Sequence, residues 1–280
     1  MIDKYKLHEK IAIYVAIFIF LAFLLAPFLE AFLVSLRPLD AVFRAPYRFF
    51  TDDMSFKSYI DIWATVPNLP RYIFNSFFVS TAATLLALAC IIPAAYSVSR
   101  FSYTGRDTFM GALLGINMVG STVLIIPLYK LMLNLGLLNT YWAMIIPGAA
   151  FTVPVGIFLM RSYFLRVPKE LEEAAYVDGA SRVYTLWRVI LPVAAPGIVV
   201  VAVTVFLVTY AQQFLFALTF NSKDDLHPLP IGLFAFFGRE RVVYNELMAA
   251  CLVGIIPVLI AFLFLQKYIV AGLTAGAVKE

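Results

Sequence analysis

One polar stretch between two apolar runs carries most of the side chains able to do chemistry. It reads Arg166-Val-Pro-Lys-Glu-Leu-Glu-Glu-Ala-Ala-Tyr-Val-Asp-Gly-Ala-Ser-Arg182 and continues Val-Tyr-Thr-Leu-Trp-Arg-Val-Ile-Leu-Pro192. Pro168 suits the first turn of a helix, where its missing N–H is not needed. Acidic residues follow early, as the positive end of a helix dipole prefers. Ala174 and Ala175 leave a surface of small residues, and Gly179 can stop the helix in a left-handed cap. A second short helix follows, with Val183, Leu186 and Trp187 able to face apolar surroundings. The chemistry of such a helix–turn–helix is recognition: it offers a compact surface to a partner.

A second set of polar residues lies inside apolar runs: Tyr210, Gln212 and Gln213, with Asn117 and Ser121 on another run. Tyr210 and Gln213 are three apart and share a helix face, whereas Gln212 points about 100° away from Gln213. Amides and an aromatic ring suit a neutral, hydroxyl-rich solute, offering hydrogen bonds in both senses and a flat apolar surface. The competing reading is interhelical hydrogen bonding, worth about 1 kcal/mol or less per pair.

The third set is the 221–245 loop. There Lys223, Asp224, Asp225, Arg239, Glu240 and Arg241 flank an apolar Ile231–Phe237 centre. Ile231, Phe234 and Phe236 between charged flanks suit a loop inserting into another protein. Packing on the chain's own bundle is the alternative. Glu30 falls about 28 Å along the first apolar run, near its far end. It reads either as an interfacial carboxylate paired with Arg37 or as a proton-coupling group.

Much chemistry is missing. There is no Gly-Lys pair, so no P-loop can cradle a nucleotide. The two histidines, His8 and His227, are far apart, and no HExxH, CxxC or Gly-x-Ser-x-Gly pattern occurs. Cys90 and Cys251 lie in apolar runs and read as small buried hydrophobes. No metal, no catalytic residue and no nucleic-acid partner is expected.

The elements that carry these residues follow from composition. Of 280 residues, 62% are hydrophobic and 14% charged, against roughly 45–50% and 25% in soluble chains. Six runs approach or exceed the ~20 apolar residues a transmembrane helix needs: about 11–36, 74–98, 109–133, 141–164, 189–220 and 247–270. The first is longer than a signal-peptide core and lacks a clear cleavage site, so it reads as a retained span. With the N-terminus cytoplasmic, twelve of the 21 Lys and Arg fall inside and nine outside, a modest bias in the usual direction. Prolines recur in the spans (Pro27, Pro93, Pro127, Pro147, Pro154, Pro192, Pro196, Pro257), as in bundles that bend or rock.

The polar stretch also resembles a known family. Glu173-Ala174-Ala175, three residues, Gly179, nine residues and then Val189-Ile190-Leu191-Pro192 match the EAA loop of ABC-importer permeases, with Val189 in place of that pattern's Ile. Leu135-Gly136-Leu137-Leu138-Asn139-Thr140, Asn75-Ser76, Ala95-Tyr96, Arg100-Phe101 and the tail Gly272 to Lys279 are similar to carbohydrate-importer permeases of the MalG type. The resemblance implies an all-α membrane protein: a six-helix MetI/MalG-like bundle with a cytoplasmic EAA coupling helix. It divides the chain into an N-terminal helix and outer loop (1–72) and a five-helix core (73–280) holding the coupling loop 166–188.

The same resemblance implies a role and partners. The chain would form half of a pathway for a sugar or sugar-derived solute, with a second homologous permease subunit. Two ATPase subunits would dock on Glu173, Ala174, Ala175, Asp178, Gly179 and Arg182, and would bind the ATP and Mg; this chain would bind no cofactor and would be no enzyme. An extracytoplasmic solute-binding protein would meet Ile231, Phe234 and Phe236. The setting would be a bacterial or archaeal inner membrane, with lipid around the bundle and both termini cytoplasmic.

One departure bears on the solute. Where the family often has Trp-Asn-Glu/Asp-Phe, this chain has Tyr210-Ala211-Gln212-Gln213-Phe214. A permease for a glycerol-phosphate ester or a polyamine is therefore the alternative. A secondary transporter, a channel and a scaffold subunit are disfavoured by the EAA loop. The topology has a direct check. In sealed cells, a cysteine replacing Ser181 should escape an impermeant maleimide added outside; labelling there would overturn the orientation.

Overall fold

The computed structural model describes residues 6–43, 49–238 and 242–274, with side chains as far as residue 267. Arg44, Arg48, Arg239, Glu240, Arg241 and the end of the tail from residue 275 lie outside the described residues. Those described are almost wholly helical, with one isolated bridge between Phe237 and Val242. Helix is what a bilayer demands of a spanning segment, because it satisfies the backbone within itself.

Five helices are long and apolar enough to cross a membrane. They are α1 (Leu7–Leu36), α4 (Leu69–Arg100), α7 (Trp142–Phe164), α11 (Ala195–Phe220) and α13 (Tyr244–Thr274). Short helices α2 (Leu39–Val42) and α3 (Lys57–Thr65) follow α1. The expected third span, 109–133, is not one helix. It is broken into α5 (Arg106–Met118) and α6 (Ile125–Asn134), about 20 and 15 Å long.

The cause is local. Gly115 and Gly120 weaken the helix, and Val119 is extended. Pro127 can donate no backbone bond and would clash with the carbonyl four residues back. The chain therefore restarts with Pro127 in the first turn of α6, where neither matters.

The chain forms two compact units: Met1–Leu69 with Leu233–Ile256, and Pro70–Gly232 with Pro257–Glu280. In the first, the end of α1 is tied to α3 through Ser35 Oγ and the Tyr59 hydroxyl, 2.8 Å apart. Arg37, fully buried, donates to the Phe49 carbonyl at 2.7 Å and lies 3.9 Å from Glu30. Glu30 thus has the cationic neighbour that the interfacial reading expects. Thr65 donates to Glu246 at 2.6 Å, and Asn245 donates to Ser58 at 3.1 Å.

The second unit holds the main core. On α4, Ala83, Ala87, Ile91 and Ala95 recur every fourth residue, and all are completely buried. A stripe of small residues lets helices approach closely in a membrane. The approach is closest at Gly156 of α7, where an added Cβ would run into the Ile91 side chain. At Gly148 the same atom would lie 3.7 Å from Ala83 and 3.6 Å from Thr209 of α11. Phe151 of α7 stacks on Phe216 of α11 at 6.0 Å.

Overpacking such a contact costs about 1–3 kcal/mol. Gly156→Ala should therefore lower the thermal stability of the detergent-solubilised protein by that order. In an Ile91→Ala background the same change should cost less than half as much. Equal penalties in both backgrounds would show that the α4–α7 approach is not what excludes a side chain at 156.

Candidate functional site

The polar stretch forms α8 (Glu170–Val177), α9 (Arg182–Tyr184), a π-helical turn (Thr185–Ile190) and α10 (Leu191–Val193), which leads into α11. The end of α8 is a Schellman cap. The Ala180 N–H reaches the Ala175 carbonyl at 2.9 Å and the Gly179 N–H reaches Tyr176 at 3.0 Å, the paired bonds that satisfy a helix's last carbonyls. Gly179 has φ +81°, and an added Cβ there would meet nothing. Glycine is thus required by the backbone and not by crowding. Ser181 caps the next helix, accepting from the Tyr184 N–H at 3.3 Å.

Of the predicted docking residues, Glu173, Ala174, Asp178, Gly179 and Arg182 are exposed. Ala175 is buried, so bulk at 175 would disturb the loop's own seat before it met a partner. Of the three apolar residues expected to face apolar surroundings, only Leu186 is buried; Val183 and Trp187 are exposed. The exposed surface thus combines Glu173, Asp178 and Arg182 with Val177, Val183 and Trp187.

A clamp that sequence reasoning missed holds α8. Glu172 forms an ion pair with Arg100, the last residue of α4, with both side chains at least nine-tenths buried. The Tyr96 hydroxyl donates to the other Glu172 oxygen at 3.1 Å, and Arg100 donates to the Val167 carbonyl at 2.8 Å. Arg182 lies over the Phe101 ring at 4.9 Å. The signal was faint: Arg100-Phe101 stood out only as a likeness, and Glu172 was one of three early acids.

The opposite end of α4 holds the 221–232 segment. Asn75, fully buried, donates to the carbonyls of Asp225 and His227, both at 2.9 Å, and accepts from the Tyr141 hydroxyl at 2.7 Å. Tyr72 donates to Asp224 at 2.6 Å, and Ser76 accepts from the Leu229 N–H at 2.8 Å. α12 (Leu229–Gly232) is packed so closely that a Cβ on Gly232 would overlap the Tyr72 ring. Ile231 is half-buried against the core, which is the alternative reading of this part of the loop. Further along, Phe234 is 54% exposed and stacks on Phe237 at 5.4 Å, whereas Phe236 is fully buried. Phe236 therefore offers no surface to a partner; Phe234 does.

The five solute-path candidates divide. Gln213 is buried, and its amide nitrogen donates to the Ser76 carbonyl at 2.7 Å and to the Ser80 hydroxyl. It fastens α11 to α4. Gln212, one position away, instead lines a small niche of about 90 Å³, whose other polar members are Asn117, Thr152 and Thr204 and whose apolar wall is Phe151, Val155, Val205 and Val208. Tyr210 stacks on Phe206 at 6.0 Å, and neither it nor Ser121 lines this niche.

The niche favours one kind of guest. The Thr152 and Thr204 hydroxyls spend their protons on backbone carbonyls of their own helices. Gln212 Oε1 is buried without a partner. The niche therefore offers acceptor oxygens from the two hydroxyls and both amides and donors from the amide nitrogens, and no cation lines the cavity. A larger cavity of about 230 Å³ among α4, α11 and the later part of α13 is lined almost wholly by apolar side chains and suits hydrocarbon. Among the described residues no cluster of His, Cys, Asp and Glu could hold a metal.

The family model for the inner membrane component of binding-protein-dependent transport systems matches residues 41–275. The chain belongs to this family. It is therefore a multi-pass membrane permease and not an enzyme. It is 38% identical over 213 residues to the trehalose/maltose transport system permease protein MalG of Thermococcus litoralis, covering 76% of each chain. It is 32% identical over 272 residues, 97% of each chain, to the inner membrane ABC transporter permease protein YcjP of Escherichia coli. A similar fold occurs in the crystal structure of a bacterial ABC transporter involved in the import of the acidic polysaccharide alginate: the TM-score is 0.74 at 24% identity, covering 95% of this chain and 99% of that one.

The cap gives a test specific to the backbone. Gly179→Ala should destabilise the loop by about 1 kcal/mol, the usual penalty of a left-handed conformation for an L-residue. Gly179→Asn, which tolerates that conformation better, should recover part of the loss. Proteolysis within 166–193 is the readout; equal protection in all three proteins would refute a backbone role.

Proposed function

We propose that this permease is one half of the membrane pathway of an ATP-driven importer for a neutral sugar. The observation that carries the neutral sugar is the uncharged niche whose polar members are Gln212, Thr152, Thr204 and Asn117. A sugar hydroxyl can donate to their oxygens and accept from the amide nitrogens. A phosphate ester or sulfonate would bring only acceptors, and would meet no compensating cation. A polyamine would find acceptors but no carboxylate to balance its charge. At about 30 Å³ per water, the niche has room for one hydroxylated edge of a ring and not for a whole sugar. The rest of the contact would come from the second, homologous permease.

The remaining assignments follow the family. Two ATPase subunits, carrying ATP and Mg, would dock on Glu173, Ala174, Asp178, Gly179 and Arg182. A solute-binding protein outside the membrane would deliver the sugar and meet the exposed Phe234. Both termini and the 166–193 stretch would be cytoplasmic. The relatives support a sugar: beside the trehalose/maltose permease stand an arabinooligosaccharide permease of Bacillus subtilis and a trehalose permease of Mycobacterium tuberculosis.

The amide pair separates transport from architecture. Gln212→Ala should lower maltose or trehalose uptake several-fold at equal membrane abundance, with the ATPase still co-purifying. Gln213→Ala should instead lower thermal stability by about 1 kcal/mol, the scale of an interhelical hydrogen bond. Unchanged uptake of both sugars in Gln212→Ala vesicles that transport normally otherwise would refute the niche as a sugar contact.

A further inference from the structure

Two sets of buried polar contacts grip the same helix at opposite ends. At one end of α4, Tyr96 and Arg100 hold Glu172 of α8, and Arg100 also holds the Val167 carbonyl. At the other, Tyr72, Asn75 and Ser76 hold the side chain of Asp224, the carbonyls of Asp225 and His227, and the N–H of Leu229. Asn75 and Arg100 are about 38 Å apart along the axis, more than the roughly 30 Å of the hydrocarbon core. The helix runs unbroken between them, with Pro93 inside it. We infer that α4 is a mechanical strut: it carries the position of α8 through Arg100–Glu172 to the 224–229 segment through Asn75. Arg100, Glu172 and Asn75 are positioning residues for transport.

The physical case lies in the kind of contact at each end. An ion pair buried on both sides cannot slide, because separating it leaves an uncompensated charge. Asn75 uses both amide protons and its carbonyl on three partners, so shifting α4 against the 225–227 backbone breaks several bonds at once. Gln213 adds a polar hold at Ser76 and Ser80 beside the Asn75 end, and between there and Tyr96 the buried stripe of α4 is Ala83, Ala87, Ile91 and Ala95. Apolar contacts of this kind are non-directional and permit sliding where the polar grips do not. Two fixed ends and a smooth middle make a rod.

The inference rests on the reading that α8 docks an ATPase, and the test keeps the two apart. The complex is purified with its ATPase and trapped with ATP and vanadate. Deuterium uptake is then followed in the peptide covering 224–232. Trapping should change uptake there in the unmodified complex. Glu172→Gln should keep the ATPase bound but cut that change at least threefold. Asn75→Ala should do the same from the opposite end, and the Arg100→Glu, Glu172→Arg exchange should restore part of the response. An undiminished response in either Glu172→Gln or Asn75→Ala overturns the strut, as does no response in the unmodified trapped complex. Loss of the ATPase from Glu172→Gln alone would make Glu172 a docking residue and overturn its positioning role. Absence of any ATPase from the unmodified complex would instead defeat the docking reading.

Discussion

Hydrocarbon offers no hydrogen bonds, and that constraint decides which polar groups this chain can carry inside its helices. The threonines obey it locally: Thr84, Thr152, Thr204, Thr209 and Thr219 each return a hydroxyl proton to a carbonyl of their own helix. Such back-bonding satisfies the side chain without a partner helix. The amides cannot do this and must look across helices. Gln213 finds the Ser76 carbonyl, while the oxygen of Gln212 remains unpartnered beside a cavity. The break between α5 and α6 belongs to the same logic. Pro127 cannot continue a helix, and non-helical backbone at membrane depth is tolerated only against protein or a cavity. Asn117, near the end of α5, lines the same niche as Gln212.

The same constraint ranks the contacts. An interhelical hydrogen bond in a membrane contributes about 1 kcal/mol or less, whereas stripping one partner from a buried ion pair costs about 3–5 kcal/mol. The Arg100–Glu172 pair therefore outweighs any single amide contact in fixing where α8 sits. The exposed Glu173 sits on the same helix as this locked, inward acid, so neighbouring carboxylates in one run serve opposite ends. Glu172 faces in and Glu173 faces out because they are 100° apart on the helix.

What the sequence showed and what it hid follow from the range of the forces involved. Helix existence and the Gly179 stop are local, set by apolar run length and backbone conformation, and they could be read from the residues. The broken third span was legible in principle, since Gly115, Gly120 and Pro127 lie within it, but its apolar length outweighed them. The clamps were not legible. Arg100 and Glu172 are 72 residues apart, Asn75 and Asp225 150 apart, and nothing in either neighbourhood names the partner. Burial of Ala175 and Phe236, each within two positions of an exposed residue, depends on rotation about a helical turn, which boundary errors of a residue or two erase.

The paired glutamines show how such a rotation divides labour. Gln212 and Gln213 are adjacent amides in one apolar run, and the two look interchangeable in sequence. In the fold they are not. The Gln213 nitrogen donates to a backbone carbonyl and a serine hydroxyl in a buried setting. A carboxylate there would set oxygen against the Ser76 carbonyl with no proton between them, at the cost of a buried, unpaired charge. The amide at 213 is therefore demanded by α4, independently of any solute. Residue 212 is under no such demand, since it lines the niche instead of bonding to α4. The amide at 213 speaks to how α4 and α11 are joined. The residue at 212 is the one of the pair whose chemistry is left free to answer to what passes.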